Sequence, residues 1–234
     1  MEDHQDKSTG SNNDGLQSLL KSFDHFRGMI YALPNGGPEL TKVYDDWSST
    51  HSEGLRHKGY LAPSNLAKIA AEFIIDKTAR ILDAASGTGM VGEELKTQGF
   101  GNIDAFDQSQ GALDYSKTLG VYTNYIRDTL DEHQTQIPTD CYDAVLMAGT
   151  FGLPGHVTVA CFPELIRITK TGGFIMITLN DLVIGQWKDK LDAAIEASRQ
   201  KGLWELVETR WCPYMKSSDE KAMVPILKIT KGNI

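Results

Sequence analysis

The stretch Ile81-Leu82-Asp83-Ala84-Ala85-Ser86-Gly87-Thr88-Gly89 constrains this chain more than any other. It passes from an apolar strand pattern through an acidic residue into a glycine turn, and the helical pattern of residues 90–98 follows at once. Glycines suit such a turn because the backbone bends too tightly for a β-carbon and must let a ligand come close. The helix start behind it presents unpaired N–H groups and a partial positive charge. The string Ile103-Asp104-Ala105-Phe106-Asp107 reads as a second strand ending in a carboxylate, eighteen residues past Gly89. A glycine turn with an acid at the tip of the next strand is how a doubly wound sheet grips a nucleoside. An adenosine-containing ligand is therefore expected.

The surrounding pattern agrees. Short apolar strands are expected at residues 80–84, 102–106, 122–126, 142–148 and 173–179, with helices at 90–98, 109–118 and 159–169 between them. That rhythm predicts an α/β fold: a doubly wound, mostly parallel sheet covered on both faces. A further helix is expected between Gly185 and Gly202, with Trp187, Leu191, Ala194 and Ile195 inward. Residues 204–211 and 223–229 read as a C-terminal antiparallel hairpin. Ahead of the sheet, Leu16, Leu19, Leu20, Phe23, Phe26 and Ile30 form the stripe of an amphipathic helix. Helices over residues 39–48 and 63–77 follow it. The expected organisation is a disordered polar tail over 1–14, an N-terminal helical cap or lid over 15–78, and a ligand-binding core over 79–234.

Composition excludes several classes. The formal charge of −8 argues against a nucleic-acid partner, because phosphate binding relies on clustered Lys and Arg. No run of eighteen apolar residues exists to span a membrane, and the polar start of the chain lacks the apolar stretch of a signal peptide. Cys141, Cys161 and Cys212 are odd in number and make no zinc pattern, so no metal is expected and the thiols suit a reducing compartment. A cytoplasmic enzyme, monomeric or homodimeric, is the expectation.

Two ligands compete. Gly87-Thr88-Gly89-Met90-Val91-Gly92 also spells the G-x-G-x-x-G of a dinucleotide site, which would make the protein an NAD(P)-binding oxidoreductase. Asp83 at the strand end would repel a pyrophosphate, the turn comes after some eighty residues of helical leader, and a hairpin rather than a substrate domain ends the chain. Taken with Asp107 and Ile126-Arg127-Asp128, these features resemble the class I S-adenosylmethionine-dependent methyltransferases over roughly residues 40–230. More narrowly, Tyr44-Asp45-Asp46-Trp47, Gly120-Val121-Tyr122 and Gly155-His156-Val157 resemble the methyltransferase-like group represented in the Williams–Beuren syndrome critical region.

The resemblance implies a seven-stranded, Rossmann-like methyltransferase sheet with S-adenosylmethionine as cofactor. It implies that Gly87 and Gly89 let the backbone approach the methionine and ribose, and that Asp83 orients the loop and the α-ammonium. Asp107 would accept from both ribose hydroxyls, Gln108 would lie along the adenine, and Asp128 with the Thr129 amide would read the adenine edge. Ala148 would meet the methionine end, and Tyr44, Trp47 and Tyr60 would form a lid over the sulfonium, whose charge favours aromatic faces. Ala85 stands where the family has glycine, which is tolerable if that residue keeps a negative φ.

The loop after the fourth strand, Met147-Ala148-Gly149-Thr150-Phe151-Gly152, carries neither an Asn/Asp-Pro-Pro-Tyr/Phe box nor a Pro-Cys nucleophile. With the acidic charge, this points to a small-molecule acceptor rather than nucleic acid, the alternatives being a protein side chain or an inactive cofactor-binding partner protein. His156 is the candidate catalytic residue, able to take a proton from an oxygen or nitrogen nucleophile. Phe151, Asn180, Trp211 and Tyr214 are candidate acceptor contacts.

Overall fold

A computed structural model describes residues 8–153, 155–185 and 187–232. Three helices lead: α1 (Ser8–Tyr31), α2 (Pro38–Lys58) and α3 (Ala62–Phe73). The expected tail over residues 1–7 lies outside the described residues, but 8–14 are the first turns of α1 and not a tail. The second helix ends at Gly59, whose left-handed φ of 78° lets its N–H cap the last carbonyls, as a side-chain-bearing residue would do only with strain.

The sheet follows in alternation: β1 (Ile81–Ala84), α4 (Met90–Thr97), β2 (Ile103–Asp107), α5 (Gln110–Lys117), β3 (Asn124–Arg127) and β4 (Tyr142–Met147). A 3-10 turn (Val159–Cys161) leads to α6 (Phe162–Ile168), then β5 (Thr169–Ile177), β6 (Leu179–Asn180), α7 (Asp181–Ile184) and α8 (Lys188–Gln200). The hairpin β7 (Trp204–Pro213) and β8 (Lys221–Ile229) closes the fold. Strands run in the order β3-β2-β1-β4-β5-β8, with β7 on the far side of β8. The two-residue β6 continues along the edge of β8 that β5 occupies, so this eight-stranded sheet has the expected seven-strand breadth. Strands β1 to β5 are parallel, and β8 is antiparallel to β5. The fifth strand starts before residue 173 because Thr169 already pairs with Tyr142 across a register shift, so Gly172, with φ 85°, lies inside the strand and not ahead of it.

Alternation decides which core each residue joins. Ile81, Ile103, Ala144 and Met176 face α3 and α4, meeting Leu66, Ala70 and Leu95; Leu82, Phe106, Val145 and Ile175 face Leu165 on α6 and Trp204 on β7. Central strands buried on both faces read as continuous apolar runs, which is why β4 ends in Ala144-Val145-Leu146-Met147. A third, smaller core joins α1 to α2 through Phe23, Ile30, Leu40, Val43 and Trp47. At the amino edge of the sheet, Arg80 clamps the fully buried Asp104 at 2.7 Å, and Tyr142 and Asn124 donate to the same carboxylate. This leaves the carboxyl edge, where strand order reverses between β1 and β4, free for a ligand.

Candidate functional site

A cavity of about 1790 Å³ opens along that carboxyl edge. Its floor is the β1–α4 turn and the tips of β2, β3 and β4; α1 and α2 cover it, and Asn180 and Tyr214 close one end. The cover is tied down on several sides. Asp45 of α2 accepts from the Ser109 hydroxyl at 2.6 Å and the Gly111 N–H at 2.9 Å, at the start of α5. His51 and Ser52 both hydrogen-bond the Thr88 hydroxyl. The chain after α2 joins the hairpin, with the Leu61 N–H donating to Tyr214 O at 2.9 Å and the Lys216 N–H to Gly59 O at 2.7 Å.

The glycine turn owes its shape to Asp107. One carboxylate oxygen accepts from the Gly87 N–H and the other from the Ser109 N–H, both at 2.8 Å. Burial raises its pKa, and these two N–H groups oppose the rise. Gly87 has φ 52°, and a β-carbon there would project into open space, so the backbone is bare on the cavity side. Gly89 does not serve as expected: it is not on the cavity wall, and a β-carbon on it would run into Leu119, Ser116 and Tyr122. Its bareness serves packing behind the turn. Ala85 does not meet the condition of a negative φ: its φ is +54°, in the region where a side chain costs roughly 1–2 kcal/mol.

Asp83 also lies behind the turn rather than on the wall. It is fully buried and accepts the Tyr122 hydroxyl at 2.5 Å, while its other oxygen has no hydrogen-bond partner among the described residues. Burial pushes its carboxyl up to about 7, against the Tyr122 hydrogen bond. Tyr122 fills the space that a β-carbon on Gly92 would need, which accounts for the third glycine of the string without any ligand.

At the tips of β2 and β3, Gln108, Asp128 and Thr129 line the cavity. The Thr129 amide donates to the Asp128 carboxylate at 2.8 Å, and His133 bonds the same oxygen at 3.1 Å, so that amide is turned to its neighbour and not to open space. Ala148 and Gly149 line the wall at the tip of β4, and the Tyr60 hydroxyl sits where a β-carbon on Gly149 would be. Tyr60 and Tyr214 meet edge to face at 5.1 Å; burial first and mutual contact second raise the pKa of Tyr60, so both stay phenols near neutrality. Asn180 lines the same end and donates to Glu220 at 3.0 Å.

In the roof, Tyr44, Trp47 and His156 all line the cavity. The Tyr44 hydroxyl lies 2.6 Å from His156 Nε2, linking α2 to the loop after β4. Trp47 is also core, stacked on Phe26 at 5.6 Å. Two acceptor candidates are elsewhere. Phe151 turns into the core against Phe162, because β4 alternation continues into its loop, and Trp211 is 57% exposed on the outer strand β7, pointing away. Sequence reasoning missed Asp45, His51 and Tyr122. For Asp45 and Tyr122 the only signal was membership of the strings 44–47 and 120–122; His51 offered none, and burial lowers its pKa to about 4.

Residues 81–173 match a family described as a methyltransferase domain. Methyltransferase-like protein 27 of Homo sapiens is 30% identical over 177 residues, covering 73% of this chain and 71% of its own. A ubiquinone biosynthesis O-methyltransferase of Rickettsia felis is 29% identical over 122 residues, 46% of each chain. A putative S-adenosyl-L-methionine-dependent methyltransferase from Methanococcus maripaludis shares the fold, with a TM-score of 0.59 at 15% identity over 84% of this chain and 94% of that one.

Proposed function

The chain belongs to the class I S-adenosylmethionine-dependent methyltransferases, and from that premise we propose that it methylates an oxygen or nitrogen nucleophile of a small molecule. S-Adenosylmethionine is the cofactor, and it supplies a methyl group already activated on a sulfonium. The protein's part is to align the nucleophile with that methyl and to exclude water.

The residues fit this cofactor. Gly87 offers bare backbone to the cavity, and Ser86, on the same wall, has a buried hydroxyl without a hydrogen-bond partner among the described residues. Asp107 lines the cavity, and its ionised carboxylate, an acceptor only, suits the ribose hydroxyls. In this reading Gln108 and Asp128 take the adenine, Ala148 and Gly149 take the methionine end, and Asp83 holds the loop from behind. Tyr44, Trp47 and Tyr60 cover the methyl. Asn180 and Tyr214 face the acceptor, and His156 receives its proton.

The observation that carries the small-molecule reading is the covered cavity. A single ligand occupies roughly 300–1,000 Å³, so about 1790 Å³ holds a cofactor and a second compact molecule. A roof tied to the turn, to α5 and to the hairpin favours a compact acceptor over a macromolecule. The Rickettsia felis relative is, by its name, an O-methyltransferase of ubiquinone biosynthesis, which supports an oxygen acceptor. Calorimetry with S-adenosylmethionine, S-adenosylhomocysteine and NAD(P) is expected to show binding of the first two alone. Tritiated methyl should then pass to a member of a metabolite panel. Transfer to a protein substrate and to no metabolite would overturn the small-molecule reading.

A further inference from the structure

The Tyr44–His156 contact is more than a clasp on the roof. Tyr44 comes from α2 and His156 from the loop after β4, and both sit on the cavity wall. Their contact, at 2.6 Å, is shorter than most side-chain hydrogen bonds and occupies the Nε2 atom itself. A histidine whose Nε2 is taken by a phenol cannot accept a substrate proton there directly. Resting on the methyltransferase reading, we infer that Tyr44 is the catalytic residue that touches the acceptor, relaying the proton of an acceptor hydroxyl to His156.

The step balances. The acceptor O–H gives its proton to Tyr44 Oη as the Tyr44 proton moves to His156 Nε2. The acceptor oxygen forms its bond to the methyl carbon while the carbon–sulfur bond breaks, and that electron pair stays on sulfur. The proton ends on the imidazole, which leaves it to solvent later. No further reactant is needed.

The surroundings favour a relay over a stored phenolate. Burial raises the Tyr44 pKa, and Asp107, Tyr214 and Tyr31 raise it further, so the phenol does not hold a negative charge by itself. The groups facing it are Tyr31 from α1, His51 on α2, Asp107 at the tip of β2 and Tyr214 after β7. None is a cation that would stabilise a phenolate: His51, with its pKa near 4, is neutral at physiological pH. Tyr44 thus stands between the Asp107 rim and the Tyr214 end, the stretch of cavity where cofactor and acceptor would meet. The relay needs one tautomer, with Nε2 bare and accepting.

That requirement is testable without knowing the acceptor. The full chain is labelled with nitrogen-15 histidine, saturated with S-adenosylhomocysteine and studied near pH 8 by long-range nitrogen correlation, with His156→Gln identifying the signals. The expected result is a pyridine-type Nε2 for His156. A protonated, pyrrole-type Nε2 would overturn the relay. On any phenol or alcohol acceptor found with tritiated methyl, Tyr44→Phe and His156→Gln should each lower kcat about a hundredfold or more, the scale of general acid–base catalysis. The double variant should be no slower than either. The dissociation constant for S-adenosylmethionine should stay within about twofold in all three. A Tyr44→Phe enzyme with unchanged kcat and weakened cofactor binding would make the contact a clasp. A chain that binds no S-adenosylmethionine would instead sink the methyltransferase reading, a distinct failure.

Discussion

Neutralising Asp83 should make the protein more stable at alkaline pH, although the residue stands in the most constrained stretch of the sequence. The carboxylate is fully buried, holds one hydrogen bond from Tyr122 and leaves its second oxygen without a hydrogen-bond partner among the described residues. Its pKa rises from 3.8 to about 7 on folding, burial being the main cause. A folded pKa above the unfolded one means that the folded state holds the proton more tightly. The associated stability is complete below about pH 4 and is lost as pH climbs through 7. About three units at 1.36 kcal/mol each gives roughly 4 kcal/mol forfeited between those limits. Asp83→Asn keeps the shape, accepts the Tyr122 hydroxyl and places its amide where the unpartnered oxygen was. An unpaired amide costs about 1–3 kcal/mol, so the variant should gain about 1–3 kcal/mol at pH 8 and lose about as much below pH 4. Urea denaturation from pH 4 to 8 measures this. Asp107 is shifted in the same direction, so an Asp107→Asn control runs beside it. A wild-type curve whose slope survives unchanged in Asp83→Asn would show that this carboxyl does not titrate in the window.

Tyr122→Phe removes the donor that favours the ionised Asp83, so it should cost about 1.5–3 kcal/mol at pH 8, where that hydrogen bond is charged, and less at pH 5; equal losses at both would refute the pairing. Asp107→Ala should weaken S-adenosylmethionine binding by about 1–3 kcal/mol in calorimetry, the scale of hydrogen bonds to a charged group. Trp211→Ala should leave turnover and cofactor affinity unchanged, since the ring is exposed on the far edge. Arg80→Met leaves Asp104 buried without its cation, which should cost about 3–5 kcal/mol in thermal or urea unfolding with no effect on cofactor affinity in the protein that remains folded.

The sheet was legible because its strands and helices are short, apolar and punctuated by glycine, and because parallel strands buried on both faces cannot hide their composition. The carboxylate at the tip of β2 and the Gly87 turn were legible for a similar reason: a strand tip and a tight turn are local features. What stayed unread depends on long-range packing. In the sequence Gly89 read as backbone bared for a cofactor and Gly92 as the end of a dinucleotide string, and only the fold shows Tyr122 occupying the space beside them. Ala85 adopts a positive φ that alanine disfavours, because β1 and the Gly87–Asp107 bond fix the turn on both sides of it. Phe151 and Trp211 misled for opposite reasons: each is a large aromatic near a functional segment, and one is buried under the sheet while the other faces outward.

The leading helices supply the roof of the cavity. The core alone has a cofactor floor, but Tyr44, Trp47, His51 and Tyr60 all come from α2 and the turn after it. Gly36, between α1 and α2, touches Gly155 so closely that a β-carbon on either would collide with the other's backbone. The turn after α1 and the loop that carries His156 must therefore move together or separate. Asp45 makes the opposite edge of the roof rigid, because its carboxylate satisfies two donors at the start of α5, one of them on the helix that follows Asp107. A cover pinned beside Asp107 and in bare backbone contact beside His156 should open at the Gly36–Gly155 seam. Gly155→Val should then raise the rate of cofactor release in stopped-flow experiments, whereas Asp45→Asn should chiefly lower stability. If Asp45→Asn speeds release and Gly155→Val does not, the hinge lies at the other edge.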